Sequence, residues 1–169
     1  MAIFPVNTAT RSNPYPNNRF GVYLGNSTTP AAIVSKISAL KRSADVIEYK
    51  EGGNPITLKG LGRVKYEPIT LERGVTQNTD FLDWADAAQR LDQGHPTTSL
   101  KNLRREIRIQ LLNEEGQAVK GYIVHRCWVS EFQALPDLDA GANAVAIEHI
   151  KLENEGWEID PSVVEVLET

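Results

Sequence analysis

Asp45–Leu61 reads DVIEYKEGGNPITLKGL and contains the strongest turn signal in the chain. Its first arm is rich in residues of high β-propensity, such as Ile47 and Tyr49, and is predicted to be a strand. The glycines at its centre allow a positive φ, and Pro55 cannot continue a hydrogen-bonded ladder because it lacks a backbone N–H. The segment is therefore predicted to be one long β-hairpin, with its turn at residues 51–55.

Strand patterns lie on both sides of this hairpin. Upstream, Phe20–Leu24 alternates with a period of two. Downstream, residues 66–73 are predicted to form a strand with Ile69, Leu71 and Arg73 on one side. The hairpin is thus expected to belong to a larger antiparallel structure.

The second half of the chain is predicted to be all strand. Ile107–Leu111 alternates apolar and polar residues, a tight connection follows, and Gln117–Trp128 returns. In the last predicted strand, Asn143–Glu155, the apolar residues change phase by one position. This change predicts a β-bulge near Glu148 and His149.

One segment, residues 79–92, is predicted to be helical. Its apolar residues recur at helical spacing and are Phe81, Trp84, Ala85, Ala88 and Leu91. Thr79 and Asp80 can cap its start. Gly94 followed by Pro96 is the expected order of residues at its end.

About seven strands and one helix predict a mainly β protein of the α+β type. The expected architecture is an antiparallel β-barrel or sandwich with a single covering helix. Residues 1–18 are rich in proline and asparagine and are expected to form an extended N-terminal arm. The barrel domain is expected over residues 19–159. Residues 160–169 form a C-terminal tail that is expected to include a short helix capped by Asp160.

The composition excludes several classes of protein. The 169 residues include 18 Lys and Arg against 22 Asp and Glu, a formal net charge of −4 at pH 7. This mild acidity argues against a nucleic-acid-binding module, which normally has a clustered basic surface. The longest apolar runs, Ala31–Val34 and Ala144–Ile147, are far shorter than a membrane span of about 20 residues. Residues 1–5 lack a signal-peptide pattern, so synthesis in the cytoplasm is expected.

The sequence offers no convincing catalytic or metal-binding constellation. The three histidines, His95, His125 and His149, lie on different predicted elements and lack metal-ligand spacing. Cys127 and His125 are the one possible nucleophile–base pair, and we interpret Cys127 as a buried thiol with His125 facing away from it. Acidic residues early in the predicted helix, such as Asp83, are explained by the helix dipole. The chain is therefore predicted not to be an enzyme and to need no cofactor or metal.

Seven stretches together resemble a known family. They are Asn13–Phe20, Val34–Leu40, Val46–Pro55, Leu71–Thr76, Phe81–Trp84, Trp128–Phe132 and Ala146–Leu152. In this order and spacing they resemble the tail-tube proteins of contractile-tailed phages. They are still more similar to the inner-tube proteins of phage-tail-like contractile injection systems. EYKEGGNP at Glu48–Pro55, followed by LERGVT at Leu71–Thr76, is the most specific part.

The resemblance implies both a fold and an assembly. The fold would be an antiparallel barrel with one helix, shared with the haemolysin-coregulated protein of type VI secretion. The chain would form hexameric rings stacked into a hollow tube, with a contractile sheath, baseplate and tube-initiator proteins as partners and effector cargo in the lumen. Nucleic acid would be a partner only in a phage tail. The particle, assembled in a bacterium, could be released outside the cell.

The residues also suggest where such an assembly makes its contacts. The hairpin arms are more apolar than a solvent-exposed excursion needs, so the hairpin is predicted to join stacked rings. Its candidate residues are Val46, Ile47, Tyr49, Glu51, Gly52, Gly53, Asn54, Pro55, Ile56 and Leu58. Arg108 and Gln110 alternate with buried positions. The resemblance implies which strands face the channel, and on that basis these two are the candidate lumen residues.

Two alternatives to a main tube subunit stay open at this point. One is a tube-initiator ring at the baseplate of the same machine, because the loop at residues 93–102 and the tail at 160–169 depart from the common pattern of the family. The other is a β-barrel that binds a small ligand or acts as an enzyme. It is disfavoured because the sequence lacks convergent polar groups.

Overall fold

The computed structural model describes residues 14–30, 34–92 and 100–164. Its elements are β1 (Phe20–Leu24), β2 (Lys36–Ile37), β3 (Arg42–Tyr49), β4 (Leu58–Tyr66), β5 (Ile69–Gly74), α1 (Asp80–Asp92), α2 (Leu100–Leu103), β6 (Arg105–Leu112), β7 (Ala118–Gln133), β8 (Ile147–Glu153) and β9 (Trp157–Ile159). Most of the predicted N-terminal arm, the predicted helix stop at Gly94 and Pro96, His95, and residues 165–169 lie outside the described residues.

Seven of the strands form one antiparallel sheet, in the order β1-β6-β7-β8-β5-β2, with β9 also paired to β7. The 16-residue strand β7 joins the two halves of this sheet. Its first part pairs with β6 and β9, and its last part pairs with β8. One continuous strand thus contributes to both layers of the sandwich. The predicted mainly β architecture with one long helix is confirmed.

A bulge at Arg126 marks the change of layer along β7. Between Arg105 and Ile107 of β6 the register slips, so that β7 contains an extra residue. Arg126 has φ of 51°, in the left-handed region that non-glycine residues rarely adopt. On a regular strand His125 and Cys127 would share a face. The bulge separates them, leaving Cys127 buried and His125 partly exposed.

The core lies between the two layers and under α1. Phe81 and Trp84 of this helix are buried among Leu71 and Ile107 of the sheet, as the helical spacing of its apolar residues predicts. The indole Nε1 of Trp84 donates a hydrogen bond of 2.8 Å to the carbonyl of Leu103 in α2. The short helix α2 is thereby tied to α1.

Thr79 is the N-cap of α1, as predicted, because its carbonyl accepts the first helical hydrogen bond, from the N–H of Asp83 at 2.8 Å. The side chain of Asn78, one residue earlier, supports this start. Its Oδ1 accepts a hydrogen bond of 2.8 Å from the backbone N–H of Asp80. The hydroxyl of Thr79 instead donates to the carboxylate of Asp83, at 3.1 Å. Asn78 thus satisfies the backbone donor of Asp80, the first helical residue, two positions further along the chain.

The predicted bulge near Glu148 and His149 is wrong. Strand β8 pairs with β5 without a register shift, and Glu148 is buried in the same phase as Ile150 and Leu152. The apparent phase change arises because a charged residue occupies an inward position. The register shift lies on the neighbouring strand β7, between Val129 and Glu131.

Two other boundaries differ from the sequence-based prediction. Strand β5 starts at Ile69 and not at residue 66, a late start that Pro68 predicts because proline has no backbone N–H for a ladder. In the described part of the tail there is a turn in place of the expected helix. The carboxylate of Asp160 accepts hydrogen bonds from the backbone N–H and the hydroxyl of Ser162, at 2.9 and 2.6 Å.

Candidate functional site

Strands β3 and β4 form a two-stranded sheet of their own, apart from the seven-stranded sheet. Their register runs from the pair Arg42 and Tyr66 at the base to the pair Tyr49 and Leu58 near the tip. The hairpin is therefore longer at its base than the predicted span, Asp45–Leu61. We call β3, β4 and their connecting turn the assembly hairpin.

The turn at the tip has the chemistry that its sequence predicts. Gly53 has φ of 88°, which a residue with a Cβ rarely adopts. The backbone N–H of Asn54 donates to the carbonyl of Glu51 at 3.1 Å, and the Asn54 side chain accepts from the N–H of Ile56 at 3.0 Å. The asparagine thus bridges the proline that interrupts the backbone ladder, and gives the tip a defined shape.

A second glycine bends the middle of the hairpin. A Cβ on Gly62 would lie 2.7 Å from the backbone oxygen of Asp45, closer than real contacts allow. At this point the pairing between Ala44 and Val46 shifts, so β4 contains an extra residue. Such a bulge increases the local twist and redirects the outer part of the hairpin.

The base of the assembly hairpin is anchored to the body of the subunit. The rings of Tyr66 and Trp157 meet edge to face with centroids 6.4 Å apart. The guanidinium of Arg42 lies 5.8 Å from the centroid of the same indole. The side chain of Asn154 donates a hydrogen bond of 3.0 Å to the carbonyl of Glu67, directly after β4.

The outer part of the hairpin exposes many large apolar side chains. They are Val46 (63% exposed), Ile47 (54%), Tyr49 (51%), Ile56 (66%), Leu61 (77%) and Val64 (46%). Its ion pairs, Lys59 with Glu48 at 3.9 Å and Lys65 with Asp45 at 3.4 Å, are solvent-exposed and contribute little to stability. So many exposed large apolar side chains on one hairpin are typical of a protein–protein interaction site.

The structure brings the predicted hairpin residues together, with Leu58 half-buried beside Tyr49. Leu61 and Val64 are exposed hairpin residues that are not among the predicted candidates. The signal was present in β4, where apolar residues continue beyond Gly62. The bulge at Gly62 interrupts the alternation of apolar and polar residues along β4, which obscures this signal.

The candidate lumen residues Arg108 and Gln110 share one face of β6, as their spacing predicts. The guanidinium of Arg108 is engaged, however, since it donates to the carbonyls of Gly25 and Ser27 at 3.2 and 2.6 Å. It also lies 5.7 Å from the ring centroid of Tyr23. Arg108 therefore holds the turn after β1.

The first residues of the tail pack on the same face of the sheet. Gly121 pairs with Gln110, and a Cβ on Gly121 would lie 2.9 Å from Cγ2 of Val163 and 3.0 Å from Cβ of Asp160. The backbone N–H of Asp160 also donates to the carbonyl of Gly121 at 2.8 Å. The chain after β9 thus covers part of the surface predicted to line a lumen.

The described titratable residues do not converge on a catalytic or metal site. His125 lies between two carboxylates, with Nδ1 at 3.2 Å from Glu106 and Nε2 at 3.1 Å from Glu158. Because each nitrogen faces a different carboxylate, the three groups do not surround one point. His149 faces Glu131 alone, at 3.1 Å. Within the described residues, no group of three or more His, Cys, Asp or Glu could hold a metal ion.

Cys127 is unsuited to nucleophilic chemistry. Burial, followed by the charge of Glu106, raises the pKa of this thiol to about 12. At neutral pH the sulfur is therefore protonated, whereas the thiolate is the reactive form.

A buried ion pair between Arg73 and Glu148 is the main charged feature that sequence reasoning missed. The guanidinium donates to the Glu148 carboxylate, and to Oδ1 and the carbonyl of Asn78 at 3.3 and 2.7 Å. It also stacks 4.0 Å from the ring centroid of Phe81. The pair joins β5, β8 and the start of α1. The sequence signal for this pair was that Arg73 lies on the same, buried side of β5 as Leu71.

One apolar cavity of about 450 Å³ lies beside the hairpin base and is lined by Phe20, Leu40, Tyr122 and Trp157, among others. The indole Nε1 of Trp157 is buried and has no hydrogen-bond partner among the described residues. No carboxylate, histidine, cysteine or lysine is among the described residues of the lining. The cavity can therefore hold an apolar group, and the polar side chains of its described lining, such as Ser38 and Tyr122, have no carboxylate or histidine of the lining beside them to activate them.

A family model for T4-like virus tail tube protein gp19 matches residues 16–158. No relative is found among curated protein sequences.

Similar chains occur in solved contractile assemblies. One, from the cryo-EM structure of the sheath–tube complex of the extracellular contractile injection system PVC in its extended state, is 26% identical; the match covers 88% of this chain and 93% of that chain, with a TM-score of 0.72. A second, in the six-fold symmetrised baseplate of the anti-feeding prophage, is 27% identical. The match covers 88% of this chain and 97% of that chain, with a TM-score of 0.72. A third, in the tube-terminating cap of the same prophage, is 26% identical and covers 95% and 99%, with a TM-score of 0.72.

Proposed function

This chain belongs to the T4-like virus tail tube protein gp19 family, and on that premise we propose that it forms hexameric rings that stack into the inner tube of a contractile injection system. The family membership and the structural matches agree that it is a structural tube protein. The ring size, the stacking contact and the lumen are the parts that we propose. Since the similar chains come from injection systems, we favour such a particle over a phage tail.

The exposed assembly hairpin is the observation that supports stacking most strongly. Ile47 and Leu61 are more than half exposed, although isoleucine and leucine are among the residues most often buried. Each such side chain, once buried against a neighbouring ring, contributes about 1.5–3 kcal/mol before the costs of association. Repeated around a ring, a weak contact becomes strong through multivalency.

The free edges of the seven-stranded sheet support ring formation. Strands β1 and β2 stand at the two ends of the strand order, and each has one side without a pairing strand among the described residues. Unpaired edges are a liability for aggregation unless they are covered. When copies join head to tail around a closed ring, one edge of each sheet is covered by the opposite edge of the neighbouring copy. No sheet edge is then left free.

We further propose that sheath and baseplate proteins contact this tube. The similar chains belong to a sheath–tube complex and a baseplate. The face of β6 with Arg108 and Gln110, partly covered by the start of the tail, is the candidate lumen surface for effector cargo. We propose synthesis in the bacterial cytoplasm and release of the assembled particle. No helix in the described part of the chain is long and apolar enough to cross a membrane.

We propose a structural role without catalysis, in agreement with the high pKa of Cys127 and the divergent contacts of His125. The main tube subunit is preferred over the tube-initiator ring because the family description is that of a tail tube protein.

The test is assembly of the full-length protein, followed by native mass spectrometry and negative-stain electron microscopy. Species of six copies and stacked tubes are the expected result, and monomer alone at high concentration would contradict the ring. Deletion of residues 52–54 is expected to leave rings that do not stack. Tubes of normal length from this variant would contradict the role of the hairpin.

A further inference from the structure

His125 lies between two carboxylates on the same face of the sheet as Arg108. Its Nδ1 is 3.2 Å from the carboxylate of Glu106 in β6, and its Nε2 is 3.1 Å from that of Glu158 in β9. Glu106 precedes Arg108 by two positions on β6, and Glu158 lies opposite Ile123, which pairs with Arg108. One imidazole on β7 thus faces a carboxylate on each of the two strands beside it.

The geometry determines how many protons the imidazole needs in order to bond both carboxylates. An ionised carboxylate accepts hydrogen bonds but cannot donate them, and a neutral imidazole has a single N–H. Neutral His125 can therefore bond only one of the two, whereas the protonated ring bonds both at once through charge-assisted hydrogen bonds. This side chain ties both β6 and β9 to β7 only when it is charged.

The other charged groups around His125 have partners of their own. Within the described residues, Arg104 and Arg126 are paired with Glu155, at 2.6 and 3.1 Å. Arg108 donates to two carbonyls of the turn after β1, and the turn before β9 reaches His125 through backbone hydrogen bonds. Histidine ordinarily changes charge between about pH 5 and 8, whereas carboxylates do so at lower pH and guanidinium groups at higher pH. In this pH window the imidazole is the group whose hydrogen bonding changes.

Strand β9 depends on β7 for its position. It is three residues long, and it pairs only with β7 among the described strands. Its first residue, Trp157, packs against the core, whereas Ile159 is 58% exposed. Directly after β9, the backbone N–H of Asp160 donates to the carbonyl of Gly121 at 2.8 Å. Short segments with few buried contacts open most readily, so one side-chain bond more or less changes how often the end of β9 opens.

We propose that His125 is a pH-dependent clamp, which holds β9 and the start of the tail on this face when it is protonated and releases one carboxylate when it is neutral. The clamp is complete at low pH, and its contribution is lost as the pH rises through the titration of the imidazole. Loss of the proton also makes this face more negative by one charge per subunit. The clamp needs only a single subunit, and its location on a cargo-facing lumen rests on the proposed function.

The size of the effect follows from exposure. The side chains of Glu106 and Glu158 are 57% and 63% exposed, so their attraction to the imidazolium is screened by water and salt. Exposed ion pairs of this kind change an equilibrium by about twofold to fivefold. The same range is expected for the opening of β9, and high salt is expected to reduce it.

Hydrogen exchange of the full-length, unassembled protein measures the clamp through the amides of residues 158–160. After correction for the intrinsic pH dependence of exchange, their protection is expected to fall by about twofold to fivefold between about pH 5.5 and 8. In H125Q the protection is expected to be independent of pH. In E158Q it is also expected to stay constant, because a glutamine amide can accept from a ring N–H or donate to a bare ring nitrogen. The matched control is H149Q, since His149 faces Glu131 alone, and it is expected to keep the wild-type pH dependence.

Each outcome either supports the clamp or overturns it. A pH-dependent loss of protection in the wild type and H149Q that is absent from H125Q supports it. Protection that does not change with pH in the wild type, or that falls equally in H125Q, overturns it. If H125Q does not fold, E158Q decides in its place, and a fall equal to that of the wild type would count against the clamp. Because the measurement uses single subunits, a protein that forms no rings would contradict the proposed function and leave the clamp intact.

Discussion

Removing one partner of the buried pair Arg73 and Glu148 is expected to destabilise the subunit strongly. The two residues are 2% and 6% exposed. In the E148Q variant, the guanidinium loses its only carboxylate partner among the described residues and stays buried beside Phe81. Its remaining hydrogen bonds are those to Asn78, which cannot compensate a full charge.

The expected magnitude follows from this burial. Breaking a buried ion pair by removal of one partner costs about 3–5 kcal/mol, a large part of the roughly 5–15 kcal/mol that keeps a domain folded. For a chain of this size, 1 kcal/mol corresponds to about 2–4 °C in Tm, so E148Q is expected to melt about 6–20 °C lower. In the R73M/E148L variant no buried charge is left, and the free energy of unfolding is expected to recover to within about 2 kcal/mol of the wild type.

Urea unfolding of unassembled subunits, followed by circular dichroism, measures the free energy of unfolding of E148Q, of the single variants R73M and E148L, and of the double variant. The matched control is D45N, which breaks the exposed pair with Lys65 and is expected to cost less than about 1 kcal/mol. The reasoning is refuted if E148Q costs no more than D45N. It is refuted equally if the losses of R73M and E148L simply add in the double variant, since a direct pair must couple.

Three further predictions concern the tip, the tail and the thiol. G53A is expected to lose about 1–2 kcal/mol of hairpin stability because its φ is 88°, whereas G52A, which has open space and no positive φ, is expected to be neutral or slightly stabilising. Hydrogen exchange of the hairpin amides compares the two, and equal protection would contradict the prediction. Hydrogen bonds from Ser162 hold the pKa of Asp160 below its usual value of 3.8. This carboxylate therefore stabilises the fold above its unfolded-state pKa, and the contribution disappears as the pH falls through the folded-state pKa. D160N should accordingly lower the Tm at pH 7 but not in strong acid, and the same loss at both values would count against the prediction. Cys127 is expected to resist maleimide at pH 7 until urea unfolds the chain, because its pKa is about 12; rapid labelling of the native subunit would show that it is accessible.

Much of the fold could be predicted because its signals are local. The turn of the assembly hairpin depends on Gly53, Asn54 and Pro55, which determine the backbone within a few residues of themselves. The spacing of Phe81 and Trp84 identified the buried face of α1 in the same way. The family expected from the quoted motifs is confirmed by the match over residues 16–158.

The missed features depend on elements that are distant in the sequence. Glu148 is matched by Arg73, which is 75 positions away. Without knowing that β5 and β8 are neighbours, an inward glutamate looks like a break in the apolar pattern, and a bulge is the natural local explanation. The bulge at Arg126 cannot be recognised from the residues around it. Its position depends on where β7 passes from one layer of the sandwich to the other.

The sequence by itself thus determined most of the strands, the long helix α1, the hairpin turn and the family, because periodicity and turn chemistry act over a few residues; the short elements β2, β9 and α2 were not predicted. Only the tertiary structure decided that β7 belongs to both layers, that Arg73 meets Glu148, and that the tail turns back over Gly121. It also showed that the hairpin stands apart from the seven-stranded sheet with its large apolar side chains exposed. The physical reason is that strand order and burial arise from the packing of distant segments, and each segment's own pattern is compatible with several neighbours.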